Sequence, residues 1–119
     1  MTAATVLDPN AIAELRSLNP DDNDEFLREI AGIFLDDTPQ RIAELDQSLA
    51  AGDVPTFARA AHSIKGSSSN LGANALRAVA EDLENRVHAG GLGDVQGLVA
   101  QVKAEFARAR AELAALMAR

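Results

Sequence analysis

Apolar residues recur along this chain every three or four positions, and proline or glycine cuts the recurrence at Asn19-Pro20, Gly52, Gly72 and Gly90-Gly91. That period is the signature of one-sided helices, and the breaks are helix stops. No stretch alternates in the way a half-buried strand requires. The chain is therefore expected to be all-α, with five or six helices.

Asp8-Pro9 reads as an N-cap with proline at the first helical position, opening a short helix through Ile12, Leu15 and Leu18. The acids Asp21, Asp22, Asp24 and Glu25 stand where a helix start gains from negative charge, ahead of an apolar side of Phe26, Leu27, Ile30, Ile33 and Phe34. A calcium loop of the EF-hand type would need a glycine and a terminal glutamate that no register supplies. Thr38-Pro39 either caps a new helix or kinks one long helix, whose buried side continues through Ile42, Leu45 and Leu49. Asp53 is the expected cap of a helix from about Val54 to Asn70. Two more follow, from about Ala73 to His88 and from about Asp94 to Ala118, with Leu76, Val79, Ala80, Leu83 and Val87, then Val95 through Leu116, facing inward. Four amphipathic stretches joined by short loops pack as an antiparallel four-helix bundle, with the short N-terminal helix capping one end. One domain over residues 1–119 is expected.

A net charge of −7 excludes nucleic acid as the main partner, because a phosphate backbone calls for a basic stripe. No apolar run reaches the length of a membrane span. Cysteine is absent, which removes disulfides and thiolate metal sites and agrees with a reducing cytoplasm. Met1 to Asn10 has no basic segment followed by an apolar core, so no secretory signal is expected.

At about 100° per residue, Phe57, Ala60, Ala61, Ile64, Ser68 and Leu71 form the buried stripe of the third long pattern, and His62 lies roughly 140° from it. Ala58 and Gly66, one turn before and after, leave the ring unobstructed, while Arg59 and Lys65 flank it at i−3 and i+3. An exposed imidazole is a competent nucleophile near neutral pH without a general base, and phosphoryl transfer asks for little more than position and a nearby cation. Lys65 is that cation. Gly66 costs about 1 kcal/mol of helix propensity relative to alanine, and access for a partner would explain it. The plain alternative is a solvated surface histidine among ordinary helix-face charges. No acid or second histidine stands at i±3 or i±4 of His62, so no metal site is expected there. His88, one turn after Glu84 near a helix end, reads as structural or incidental. Ser69, two turns from His62, borders the same surface.

The run Ala61-His62-Ser63-Ile64-Lys65-Gly66-Ser67-Ser68-Ser69-Asn70-Leu71-Gly72-Ala73 closely resembles the signature of histidine-containing phosphotransfer (HPt) domains. Phe26 to Pro39, the turn at Leu49 to Asp53, and Leu83-Glu84 also look like the family pattern, and Ser69 in place of a frequent alanine is a mild departure. The resemblance implies a helical bundle that relays phosphoryl groups between receiver-domain aspartates in a two-component phosphorelay. His62 would be the phosphorylated residue and Lys65 the attending cation, with Ala58, Arg59, Gly66 and Ser69 on the docking surface. Such a chain is a phosphotransfer intermediate without its own ATP site, needs no cofactor, and meets receiver domains of response regulators or hybrid histidine kinases. Magnesium would belong to the receiver. A monomer is expected, with a dimer through the last helix left open. The alternative reading is a non-relaying bundle that binds receivers as a phosphate sink or inhibitor.

Overall fold

The structure is a computed structural model and describes residues 7–118. Residues 1–6 and 119, which include part of the segment read for a secretory signal and both ends of the expected domain, lie outside the described residues. Five helices follow one another: α1 (Pro9–Leu18), α2 (Glu25–Ala51), α3 (Val54–Asn70), α4 (Asn74–Gly90) and α5 (Gln96–Met117). Among the described residues there is no strand. Helices α2 to α5 pack each on the next in chain order and α5 closes back on α2, the up-down-up-down bundle that short connections enforce. Helix α1 packs on α2 at one end.

The starts and stops have the expected chemistry. The Asp8 side chain accepts the Asn10 N–H, and Pro9 stands at the first helical position. Asp53 accepts the Thr56 N–H at 3.2 Å and the Thr56 hydroxyl at 2.7 Å, which caps α3. Gly52 takes a left-handed conformation at φ +70° and donates back to the last carbonyls of α2. The acidic cluster is spent on the α1–α2 connection: Asp22 accepts the Phe26 N–H at 3.0 Å, and Asp24 holds Arg16 through two hydrogen bonds of 3.0 and 3.1 Å.

Pro39 lies inside a single α2, which resolves the Thr38-Pro39 ambiguity in favour of one long helix. The proline forfeits the hydrogen bond to the carbonyl of Leu35. Burial on both sides of it, at Leu27, Ala31, Phe34 and Thr38 before and Leu45 and Ser48 after, keeps the helix continuous. Ile33 corrects the expected apolar side. It is 58% exposed, because it sits roughly 120° around the helix from the stripe of Leu27, Ala31 and Phe34. Leu18 is likewise exposed at the end of α1, while Ile12 is buried and Leu15 half-buried. The bounds of two helices differ slightly from expectation. Helix α4 runs through Gly90 and stops at Gly91, whose φ is +77°, and α5 begins after the buried Val95. Phe34 and Phe106 meet at the centre with ring centroids 5.4 Å apart and tilted by 56°, joining α2 to α5.

The connection between α3 and α4 is only Leu71-Gly72-Ala73, all buried. Gly72 has φ +66°, and its carbonyl accepts the Asp8 N–H at 2.8 Å. A Cβ there would lie 2.6 Å from the Asp8 Cβ and 2.7 Å from the Ala11 Cβ, so the glycine is what lets α1 seat on the turn. Gly72→Ala is expected to destabilise the protein by about 1–3 kcal/mol, from left-handed strain plus displacement of α1. Urea denaturation measures the loss, and hydrogen exchange should place it first in residues 8–18.

Candidate functional site

Helix α3 buries Phe57, Ala60, Ala61, Ile64 and Ser68, the stripe expected from the sequence, with Leu71 buried just beyond. That phase turns His62 outward, and its side chain is 67% exposed. Helix α4 comes back antiparallel across the three-residue turn. Residues equally far from Ala73 therefore face each other, and His62 and Glu84 are each eleven positions away from it.

Glu84 is the residue that spacing along one helix missed. Its Oε2 lies 2.9 Å from His62 Nδ1, and its Oε1 lies 2.9 Å from Lys65 Nζ. The Lys65 ammonium first of all, and then the His62 hydrogen bond, hold the Glu84 carboxyl below its ordinary value, against partial burial that pushes it up. A carboxylate only accepts, so His62 Nδ1 is the donor and carries the ring proton. In the neutral ring the lone pair is then on Nε2, the nitrogen away from Glu84. The fit is that of a nucleophile held in one tautomer by a half-buried partner.

The other residues singled out from the sequence fall around this centre. Lys65 is on the expected side but is engaged by Glu84, with its side chain 27% exposed. Ala58 and Arg59 border a hollow of about 410 Å³ together with His62, Ser63, Glu84 and His88. Gly66 is exposed, and a Cβ on it would meet nothing within 4 Å, so packing within the chain does not call for a glycine there. Ser69 donates its hydroxyl to the Lys65 carbonyl at 3.1 Å and lines a separate groove with Ala11, Leu15 and Leu18 of α1. Ser68 is buried and donates to the Ile64 carbonyl at 2.6 Å. Among the described residues no group of three or more His, Cys, Asp and Glu is arranged to hold a metal ion, and no helix is long and apolar enough to cross a membrane.

Fold and site together define a helical bundle that presents one tautomer-fixed histidine to the outside, with no enclosed cleft around it. The Hpt domain family model matches residues 29–112, and the chain belongs to that family. The function of the domain is histidine phosphotransfer in a two-component phosphorelay. The chain is similar to Multistep phosphorelay regulator 1 of Schizosaccharomyces pombe, 30% identical over 80 residues that cover 67% of this chain and 27% of the regulator. It thus spans about a quarter of that relative's length. Histidine-containing phosphotransfer protein 4 of Arabidopsis thaliana is 28% identical over 102 residues, covering 84% of this chain and 80% of the plant protein. The crystal structure of histidine-containing phosphotransfer protein B from Pseudomonas aeruginosa PAO1 superposes with a TM-score of 0.76 at 33% identity, over 88% of each chain.

The depressed Glu84 pKa ties stability to pH. A carboxyl whose folded-state pKa lies below its unfolded one stabilises the fold fully above the ordinary glutamate range, and the contribution disappears as pH falls through the folded-state value. Glu84→Gln is expected to lose about 1 kcal/mol at pH 7. Parallel urea titrations should show the gap between variant and wild type closing toward pH 3.

Proposed function

We propose that His62 Nε2 accepts a phosphoryl group from an aspartyl phosphate of one receiver domain and passes it to the aspartate of another. The 2.9 Å contact between His62 Nδ1 and the Glu84 carboxylate carries this reading, because in the neutral ring it assigns the proton to Nδ1 and the lone pair to the exposed nitrogen. In the first step the Nε2 lone pair attacks phosphorus, an N–P bond forms, and the P–O bond to the donor aspartate breaks with its electron pair leaving on the carboxylate. Nδ1 keeps its proton throughout, so the phosphorylated ring is cationic and remains paired with Glu84. Onward transfer is the reverse sequence toward a second carboxylate, with neutral imidazole as leaving group. No proton has to move in either direction.

Lys65 sits one turn from His62 and is the nearest lysine to it, and release from Glu84 Oε1 would let it attend the phosphoryl oxygens. Ala58, Arg59, Gly66 and Ser69 form the docking margin, where the basic Arg59 suits an acidic receiver pocket. Residues 1–119 act as one domain, monomeric and cytoplasmic, with ATP chemistry left to a partner kinase and no cofactor of its own. The relay reading is favoured over a phosphate sink because the tautomer that makes Nε2 a good acceptor also leaves a good leaving group.

Incubation with a phosphorylated receiver should label the protein with an acid-labile, alkali-stable phosphoryl group. His62→Gln should abolish the label, and a label that persists in this variant would rule out the assignment. Transfer from the labelled protein to a second receiver separates relay from sink. Gly66→Ala provides an independent check: it should stabilise the fold by about 0.5–1 kcal/mol while slowing transfer several-fold, since its methyl group meets only the partner. Equal transfer rates would remove Gly66 from the docking surface.

A further inference from the structure

We propose that Arg59 is the electrostatic anchor of receiver docking, forming an ion pair with a carboxylate on the partner's surface at encounter and taking no part in the transfer chemistry. The inference rests on His62 being the phosphoryl carrier and names what brings the partner to it. Charge is divided unevenly along the chain. Residues 21–53, most of which form α2, hold ten acids against Arg28 and Arg41, an excess larger than the whole chain's net charge of −7. The α3–α4 hairpin that carries His62 has instead, histidines aside, one base more than it has acids. Ion pairs use up every acid on it: Glu84 lies 2.9 Å from Lys65, Glu81 3.8 Å from Arg77 and Asp82 3.3 Å from Arg86. Arg59 is the cation left over on the hairpin, and among the described residues no acid pairs with its guanidinium.

What Arg59 touches decides how it acts. Its Nη2 donates only to the Thr56 hydroxyl, at 3.4 Å, one turn toward the start of α3, the direction in which helical side chains lean. Asp53, the cap of that helix, is committed to Thr56, whose hydrogen bonds hold its carboxyl below the ordinary value, and the Arg59 charge adds least to that shift. The guanidinium is thus exposed at the border of the hollow that His62 shares, but leans away from the ring. From there it meets the rim of whatever closes over the hollow, not a phosphoryl group on Nε2. Lys65, Arg77 and Arg86 would each have to leave an acid to bind a partner, whereas Arg59 gives up none and offers a carboxylate its planar fork of donors. In an acidic chain, one unneutralised cation a turn from the carrier nitrogen marks where a partner bearing carboxylates is attracted, while the acids of α2 repel the same partner elsewhere. A receiver, with its acidic pocket, is a partner of that chemistry.

The test is stopped-flow association of the full chain with a receiver domain chosen by its binding to the wild type, at low and at high salt. Transfer from the same receiver, phosphorylated with acetyl phosphate, is followed over a range of receiver concentrations. Arg59→Gln should slow association about fivefold at low salt, and the gap should close as salt screens the pair. Its loss in transfer should fall on the half-saturating receiver concentration and not on the saturated rate. Arg86→Gln changes the net charge by the same amount but removes a cation already paired, and should slow association by less than about twofold. Arg59→Lys keeps the charge and should recover most of the association rate. Equal slowing in Arg59→Gln and Arg86→Gln would reduce the effect to net charge and overturn the proposal. A loss confined to the saturated transfer rate would overturn it too, by placing Arg59 in the chemistry. A receiver that binds in the Arg59-dependent manner but never labels His62 instead overturns the carrier reading and leaves the docking assignment in place.

Discussion

The three-residue connection at Leu71-Gly72-Ala73 is the constraint on which the rest depends. Two helices of equal length are folded back on each other with no slack, and the left-handed Gly72 in the middle admits no Cβ. Its carbonyl takes the Asp8 N–H, so the same residue that reverses the chain also seats the N-terminal helix. A longer connection would let α3 and α4 slide past each other by a turn. At about 5.4 Å per turn, that slip would carry Glu84 out of reach of His62. The register of one turn thus decides whether the exposed histidine has a partner.

Given that register, Glu84 gathers charge that would otherwise be scattered. Lys65 and the His62 ring bind its two oxygens, and the partly buried carboxylate is kept ionised by them. With a neutral ring the cluster of Glu84, Lys65 and His62 sums to zero. A phosphoryl group on Nε2 with a proton kept on Nδ1 brings a dianion and a ring cation together, so the carboxylate that held the ring now faces added negative charge and competes with the phosphoryl oxygens for Lys65. The arrangement suits a carrier, for which an unduly stable phosphorylated state would be as useless as an inaccessible one.

Much of this was legible in the sequence, because the signals were local. The buried stripe of α3, the caps at Asp8 and Asp53 and the termination at Gly52 follow from helical period and turn chemistry within a few residues. Ile33 was misread because it was grouped with its apolar neighbours in sequence, although helical phase puts it roughly 120° around from their stripe. Glu84 was read as the i,i+4 neighbour of His88, a pairing that exists at 3.9 Å but is the longest of its three. Its contact with His62 spans 22 positions, and only the symmetry of the two helices about Ala73 could have pointed to it. Whether Pro39 would end α2 could not be settled locally, since the outcome turned on burial supplied by other helices.

What sets the proposed site apart is how little the fold needs it. His62 is mostly solvent-exposed, and Gly66 leaves open space where alanine would have helped the helix. The glycine does not lower the free energy of this chain by itself. Gly32 in α2 and Gly97 in α5 meet the same open space, so it is the pairing that sets Gly66 apart: it lies one turn from His62 on the same face. On the proposed reading the chemistry is divided between molecules: this chain would contribute a nucleophile in the right tautomer and a clear approach, and the remaining charges that phosphoryl transfer requires would come with the partner.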